Sequence, residues 1–230
     1  MLSRAHAVAG ALLVALAAPA SAQAVPSIEP LRPCYVTAGT AKEPLAEPVI
    51  VNAQGFTPNS KVDLTLNGAP FDGSTGLQVG DAGLLTLRPF PAPFVRSGSK
   101  DFTVTLAEQN NPANTVTATA KSTRLDVRIR PRSARPSERI RFKGSGFTGE
   151  QPVYAHYTRN GRQVARVRMA RRTGECGTWS VRRKQFPMNA PTPGTWIVQF
   201  DQSKKYINGQ RGKLKGVHVR VKFTVTLVPR

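Results

Sequence analysis

One strand–turn pattern occurs twice in the chain, and this repeat constrains the fold more than any other feature of the sequence. Residues 49–57 read VIVNAQGFT and residues 140–148 read IRFKGSGFT, so that a Gly-Phe-Thr triplet recurs. Further matches follow at nearly the same offset: Asn67-Gly68 with Asn160-Gly161, Asp81-Ala82-Gly83 with Glu175-Cys176-Gly177, and Phe102/Val104/Leu106 with Trp196/Val198/Phe200. Because the offset drifts by only a few residues, the sequence predicts one supersecondary plan that is used twice.

Both copies of this plan are predicted to consist of β-strands. Apolar and polar residues alternate with period two, the pattern of half-buried strands, in runs that begin near Val62, Phe102, Val116, Leu125, Ile140, Val153 and Val217. Asn-Gly dipeptides and other turn residues separate the runs, as in two-residue hairpins. About seven short strands per hundred residues is typical of an immunoglobulin-like sandwich. The predicted fold class is therefore all-β, with two tandem immunoglobulin-like β-sandwich domains after a signal peptide.

The first 22 residues have the composition of a removable signal peptide. Arg4 precedes an eleven-residue apolar stretch, and Ala20-Ser21-Ala22 supplies small residues before a cleavage site at Gln23. The apolar stretch is shorter than the roughly 20 residues that a membrane-spanning helix needs. We therefore expect a secreted, extracellular or cell-wall protein with no transmembrane segment in the mature chain. Its domains are expected at 23–123 and 124–230.

Export makes the two cysteines, Cys34 and Cys176, informative. An oxidising compartment permits one intramolecular disulfide between them, which would join the two copies of the repeat. Two isolated thiols and an intermolecular link are the alternatives at this point.

The segment VNAQGFTPNSKVDLTLNG resembles the opening hairpin of bacterial Ig-like domains of the IPT/TIG type. There, a Gly-Phe-Thr-Pro turn between two strands precedes an Asn-Gly or Asp-Gly turn. The second copy departs from this pattern, with Gly149 in place of Pro58. The whole chain also resembles secreted two-domain proteins of high-GC Gram-positive bacteria. This resemblance implies a surface or secreted binding module and transfers no catalytic residue.

The mature chain offers little for catalysis. His156 and His218 fall on predicted strands, where pleat alternation directs them toward solvent. No serine lies in a Gly-x-Ser-x-Gly turn and neither cysteine has a histidine nearby in the sequence, so no nucleophile–base pair is evident. Asp72, Asp81 and Asp101 lack the dense spacing of a calcium loop and are interpreted as polar turn residues. We expect neither an enzyme, nor a metal site, nor a cofactor.

The two copies differ sharply in charge. Residues 23–123 contain seven Lys/Arg and eight Asp/Glu, whereas residues 124–230 contain 25 Lys/Arg and five Asp/Glu. Many cations of the second copy alternate with apolar residues, which places them on the solvent faces of predicted strands. The candidate anion-binding residues are Arg128, Arg130, Arg139, Arg141, Lys143, Arg166, Arg168, Arg220 and Lys222. Like charges opposite one another across strands are destabilising, so such faces cost stability unless anions, solvent or carboxylates offset the repulsion.

Three functional interpretations follow from this charge. In the first, charged outer faces keep a structural or spacer protein soluble and protect its edge strands. In the second, the basic second domain of a non-catalytic binding protein adheres to an anionic polymer of the cell envelope, such as a wall polymer or an acidic polysaccharide. Nucleic acid is a less favoured anion, because aromatic residues are only 7% of the chain and form no evident stacking platform. The third, an enzyme with an unrecognised site, is the least favoured. The sequence predicts no oligomeric state.

Overall fold

The structure, a computed structural model, describes residues 25–171, 173–207 and 218–226. The predicted signal peptide lies outside the described residues. Within them, strands are the dominant element and the one helical element is the 3₁₀ turn Glu175–Gly177. The predicted all-β fold class is confirmed.

The N-terminal half, residues 25–124, is a sandwich with additional strands along one edge. Its strands are β1 (Ser27–Ile28), β2 (Cys34–Gly39), β3 (Pro44–Ala46), β4 (Pro48–Val49), β5 (Asn52–Gln54), β6 (Lys61–Leu66), β7 (Leu77–Gln78), β8 (Leu85–Thr86), β9 (Phe90–Pro91), β10 (Ser99–Glu108) and β11 (Asn111–Arg124). They form sheets in the orders β1-β5-β8, β3-β2-β11-β10-β6-β7 and β4-β9. Inward-facing residues such as Ala53, Leu64 and Phe102 build a core between the two larger sheets.

The C-terminal half, residues 126–226, repeats the central part of this arrangement. Its strands are β12 (Asp126–Arg130), β13 (Arg139–Ser145), β14 (Val153–Arg159), β15 (Arg162–Ala170), β16 (Trp179–Lys184), β17 (Gly194–Asp201) and β18 (Val219–Val225). A three-stranded sheet β12-β13-β16 faces a four-stranded sheet β15-β14-β17-β18, as in an immunoglobulin-like sandwich. The core between them is rich in aromatic residues, including Phe142, Tyr157 and Phe200.

The two Asn-Gly dipeptides occupy corresponding turns. Asn67-Gly68 follows β6, and Asn160-Gly161 connects β14 to β15. The φ angles are 53° and 78° in the first turn and 49° and 76° in the second. Positive φ at both central positions defines the type I′ turn, for which Asn-Gly is the preferred dipeptide. The turn chemistry predicted from the sequence is therefore confirmed in both copies.

The Gly-Phe-Thr triplets also occupy corresponding positions. Phe56 and Phe147 are 3% and 0% exposed and belong to the two cores. Gly83 (φ 71°) lies against the backbone of Phe56, and Gly177 (φ 68°) lies against the backbone of Phe147. A β-carbon at either glycine would meet that backbone, so each position requires glycine for two reasons, its positive φ and the close approach.

The two halves are joined by more than the chain itself. Leu125 alone separates β11 from β12. A disulfide links Cys34 to Cys176 with their Cα atoms 5.3 Å apart, which confirms the intramolecular bridge. Close by, Lys121 Nζ donates a hydrogen bond to the carboxylate of Glu175, and this bond, together with the charge of Glu175, raises the pKa of Lys121. A covalent bond and an ion pair thus connect the halves.

The two halves differ at one sheet edge. In the N-terminal half, β2 lies parallel to the last part of β11 and covers its outer edge. This strand belongs to residues 29–51, which connect β1 to β5, whereas only residues 131–138 connect β12 to β13. Among the described residues, no strand pairs with the outer edge of β18.

Candidate anion-binding face

The outer surface of the three-stranded sheet carries three adjoining rows of cations. Arg130, Arg141 and Arg182 lie side by side across β12, β13 and β16, and Arg128–Lys143 and Arg139–Lys184 form the neighbouring rows. All seven side chains are exposed. We call this surface the cationic face, defined by Arg128, Arg130, Arg139, Arg141, Lys143, Arg182 and Lys184.

The spacing of these cations follows from sheet geometry. Neighbouring strands lie about 4.8 Å apart, and residues on the same face recur about every 6.6–6.8 Å along a strand. Asp126 Oδ2 accepts a hydrogen bond of 2.8 Å from Arg128 Nε, and this is the one ion pair that the described residues make on the cationic face. Because a guanidinium binds carboxylate or phosphate through two parallel hydrogen bonds, the face can hold several anionic groups at once.

Five of the nine predicted residues lie on this face: Arg128, Arg130, Arg139, Arg141 and Lys143. The sequence interpretation did not include Arg182 and Lys184, because they belong to the basic run Arg182-Arg183-Lys184, which obscures the alternation of β16. The signal that could have revealed them is Trp179 and Val181, which precede the run at the inward-facing positions of the same strand.

The other four predicted residues lie on the opposite side of the sandwich. Arg166 and Arg168 belong to β15, and Arg220 and Lys222 belong to β18, all on the outer surface of the four-stranded sheet. Arg166 Nη1 donates to the carbonyl oxygen of Lys204 at 2.7 Å, and Arg220 Nε donates to Gln199 Oε1 at 3.1 Å. The structure therefore divides the nine candidate residues between two surfaces.

The prediction that His156 faces solvent is wrong, because its side chain is 0% exposed. Residues 202–207 fold over His156 on the outer surface of the four-stranded sheet, with the ring of Tyr206 5.7 Å from that of His156. His156 Nε2 lies 3.1 Å from Asp201 Oδ1 and 3.0 Å from the carbonyl oxygen of Ser203. Both neighbours are hydrogen-bond acceptors, so Nε2 carries the proton.

His156 belongs to a buried polar network centred on Asp201. The Asp201 carboxylate also accepts hydrogen bonds from Gln199 Nε2 at 2.7 Å and from the Ser203 amide at 2.9 Å. Burial lowers the pKa of His156, but the hydrogen bond and charge of Asp201, aided by Ser203 and Gln163, raise it above its ordinary value of 6.5. The pair stabilises the covering segment, and these contacts engage the Asp201 carboxylate and the Nε2 atom of His156.

His218 also departs from its predicted exposure. It is half-buried, immediately precedes β18, and lines a cavity of about 330 Å³ together with Glu47, Gln199 and Asp201. The metal-ligating residue types form no group of three or more anywhere in the described part of the chain. Over the same residues, no helix has the length and apolar character that a bilayer crossing requires.

No family model and no curated protein matches the sequence. Solved structures that match the chain include a tetra-tandem repeat in the extending region of a large adhesion protein, with 15% identity and a TM-score of 0.30 over 84% of this chain. The chain spans 49% of that structure's length. Another is the human OSCAR ligand-binding domain, with 13% identity and a TM-score of 0.33, covering 87% of this chain and 97% of that one. At this level of similarity neither assigns a ligand or a family.

Proposed function

We propose that the protein is a non-catalytic binding protein of the cell exterior that adheres to an anionic polymer through the cationic face. Residues 23–123 and 124–230 act as its two domains, resembling bacterial Ig-like modules of the IPT/TIG type, and the basic second domain makes the contact. A wall polymer or an acidic polysaccharide is the favoured ligand. The disulfide supports a location outside the cytosol, where such bonds persist.

The row formed by Arg130, Arg141 and Arg182 carries this proposal. Solubility alone requires cations on the surface, but not cations placed directly opposite one another on three paired strands, where they repel. None of the three forms an ion pair among the described residues. A bound chain of anionic groups would offset the repulsion at every position, and several weak contacts on one polymer would reinforce each other.

Polysaccharide or wall polymer is favoured over nucleic acid because the face offers no stacking surface. Both tryptophans of the chain, Trp179 and Trp196, are in the core, 6% and 2% exposed. Single-stranded nucleic acid is bound largely through exposed aromatic side chains that stack on bases. The cationic face instead combines point charges and guanidinium groups with the hydroxyl of Ser180, which lies beside Lys143.

Retention of the full chain on immobilised teichoic acid or heparin, measured against ionic strength, tests the proposal. We expect the triple variant Arg130→Glu/Arg141→Glu/Arg182→Glu to elute at much lower salt and to lose up to about three units of the logarithmic salt slope, because each lost anion contact removes about one unit.

The matched control is Lys42→Glu/Lys61→Glu/Arg88→Glu, which changes the net charge equally at exposed positions of the N-terminal half. The control should retain most of the wild-type affinity. Equal losses in the two variants would mean that net charge alone governs retention, and the spacer interpretation would then replace the proposal.

A further inference from the structure

A groove runs between the open edges of the two sheets in the C-terminal half. It has a volume of about 1000 Å³ and lies between β12 and the segment Val221–Phe223 of β18. Val127 and Phe223, each 8% exposed, form its floor together with half-buried Ile129, and they belong to the core. Both strands are terminal in their sheets as far as the described residues go, and the outer edge of each presents peptide groups that no described strand pairs with.

The N-terminal half shows how the corresponding edge is filled in the same molecule. The strand that corresponds to β18 is β11. Each is the last strand of its half, and each pairs antiparallel with the strand before it, β10 or β17. Strand β2 lies parallel along β11, and its Tyr35 and Val36 are buried by this packing. The shorter connection between β12 and β13 contains no strand of this kind, so within residues 25–171, 173–207 and 218–226 nothing gives the edge of β18 the cover that β2 gives to β11.

Charge determines what can occupy this edge. Exposed cations border the groove, namely Arg128, Arg130, Arg132 and Lys222, whereas Asp126 is its single acidic lining residue. A second copy that paired through β18 would bring Arg220 and Lys222 close to the same residues of its partner, which is unfavourable because opposed like charges repel across strands. A strand with acidic outward-facing side chains would form opposite-charge pairs at those positions.

We infer that the edge of β18 binds an extended acidic segment of another polypeptide, in which apolar residues alternate with Asp or Glu. The segment adds a fifth strand to the four-stranded sheet by main-chain hydrogen bonds, a known mode of peptide recognition. Its apolar side chains cover Val127, Ile129 and Phe223, and its carboxylates lie beside Lys222 on the outer surface. The main-chain contacts of this interaction lie on β18 and those of the polymer on the cationic face, although Arg128 and Arg130 border both.

The test uses the full chain and a fluorescent synthetic peptide of alternating Glu and Val, with binding measured by anisotropy at physiological salt. Two control peptides are used. The first has the same composition with Glu and Val in separate blocks. The second has the same side-chain sequence but is N-methylated at alternate residues, so that one edge cannot donate hydrogen bonds. We expect each control to bind about tenfold more weakly or worse, since it loses either the side-chain pattern or several main-chain bonds. Amide hydrogen exchange in Val219–Val225 should slow with the alternating peptide.

A pair of charge reversals separates this inference from the proposed function. Lys222→Glu should weaken the alternating peptide about fivefold or more, because an attractive cross-strand pair becomes repulsive, and should leave polymer retention nearly unchanged. Lys184→Glu, on the cationic face, should do the reverse. Equal binding of the three peptides would overturn the inference, as would concentration-dependent dimerisation through β18 without peptide binding.

Discussion

The same position of the fold carries opposite chemistry in the two halves. In the N-terminal half, Asn52 Nδ2 donates a hydrogen bond of 2.8 Å to Glu29 Oε2 between the first two strands of the sandwich. The register places Arg128 and Lys143 at the corresponding positions of the C-terminal half. A three-stranded sheet of the same kind forms in both halves. The inward apolar residues therefore specify the fold, and the residues of the outer face are free to vary. The cations are therefore not a requirement of the fold.

A second row supports the same conclusion on the other sheet. Thr105 and Thr117 share a hydrogen bond of 3.0 Å on β10 and β11, in the row that also contains Thr65 of β6. The corresponding row in the C-terminal half is His156, Gln199 and Arg220, in which His156 and Gln199 are buried and Arg220 is exposed. A neutral row of threonines in one half thus corresponds to a partly buried row that contains His156 and Arg220 in the other.

Removing the disulfide should have the largest effect on the comparison, because it releases the two halves from each other. The double variant Cys34→Ala/Cys176→Ala should lower the free energy of unfolding by about 4–5 kcal/mol on the chain-entropy model for so long a loop. We expect calorimetry to resolve two transitions in this variant and one in the oxidised protein. A single unchanged transition in the double variant would mean that non-covalent contacts alone couple the halves.

The next largest effect is expected when the row that contains His156 is compared with the row that contains Thr65. His156→Ala leaves the buried Asp201 without its cationic partner and should cost about 3–5 kcal/mol, whereas Thr65→Ala at the matching position should cost about 0.5 kcal/mol or less. Because folding raises the pKa of His156 above 6.5, its charge contributes stability that is complete below about pH 6.5 and is lost as pH rises through the folded-state pKa. Urea unfolding from pH 5 to 8 should show this decline in the wild type and not in His156→Ala.

A smaller effect, expected to be similar in the two halves, concerns the corresponding glycines Gly83 and Gly177. Gly83→Ala and Gly177→Ala should each cost at least about 1–2 kcal/mol, the penalty for a side chain in the left-handed region, with an added cost from the approach to the backbone of Phe56 or Phe147. Gly68→Ala serves as the control, since a β-carbon there meets nothing within 4 Å and only the φ penalty applies. Losses at Gly83 and Gly177 no larger than at Gly68 would contradict the close packing.

The outcome at particular residues explains which features the sequence could predict. Inward positions such as Ala155 and Tyr157 follow from the alternation of one strand, and the Asn-Gly turns follow from local backbone chemistry. The burial of His156 depends on a segment more than forty residues away in the chain, so no local pattern contains it. Arg182 joins the cationic face only through the pairing of β13 with β16, which is likewise a non-local contact.

The smallest effect tests whether the cations alone distinguish the halves. Glu29→Arg/Asn52→Lys transfers the outer-face chemistry of Arg128 and Lys143 to the N-terminal half. This variant loses the exposed hydrogen bond between Asn52 and Glu29, and the inward face is unchanged. The free energy of unfolding should therefore fall by only about 1 kcal/mol or less. Retention on teichoic acid should rise when the transfer is made in the Arg130→Glu/Arg141→Glu/Arg182→Glu background, and the salt slope should recover by about one to two units. If retention rises no more than with two lysines placed at exposed Asp81 and Ala113, outside this row, the row arrangement contributes nothing beyond charge.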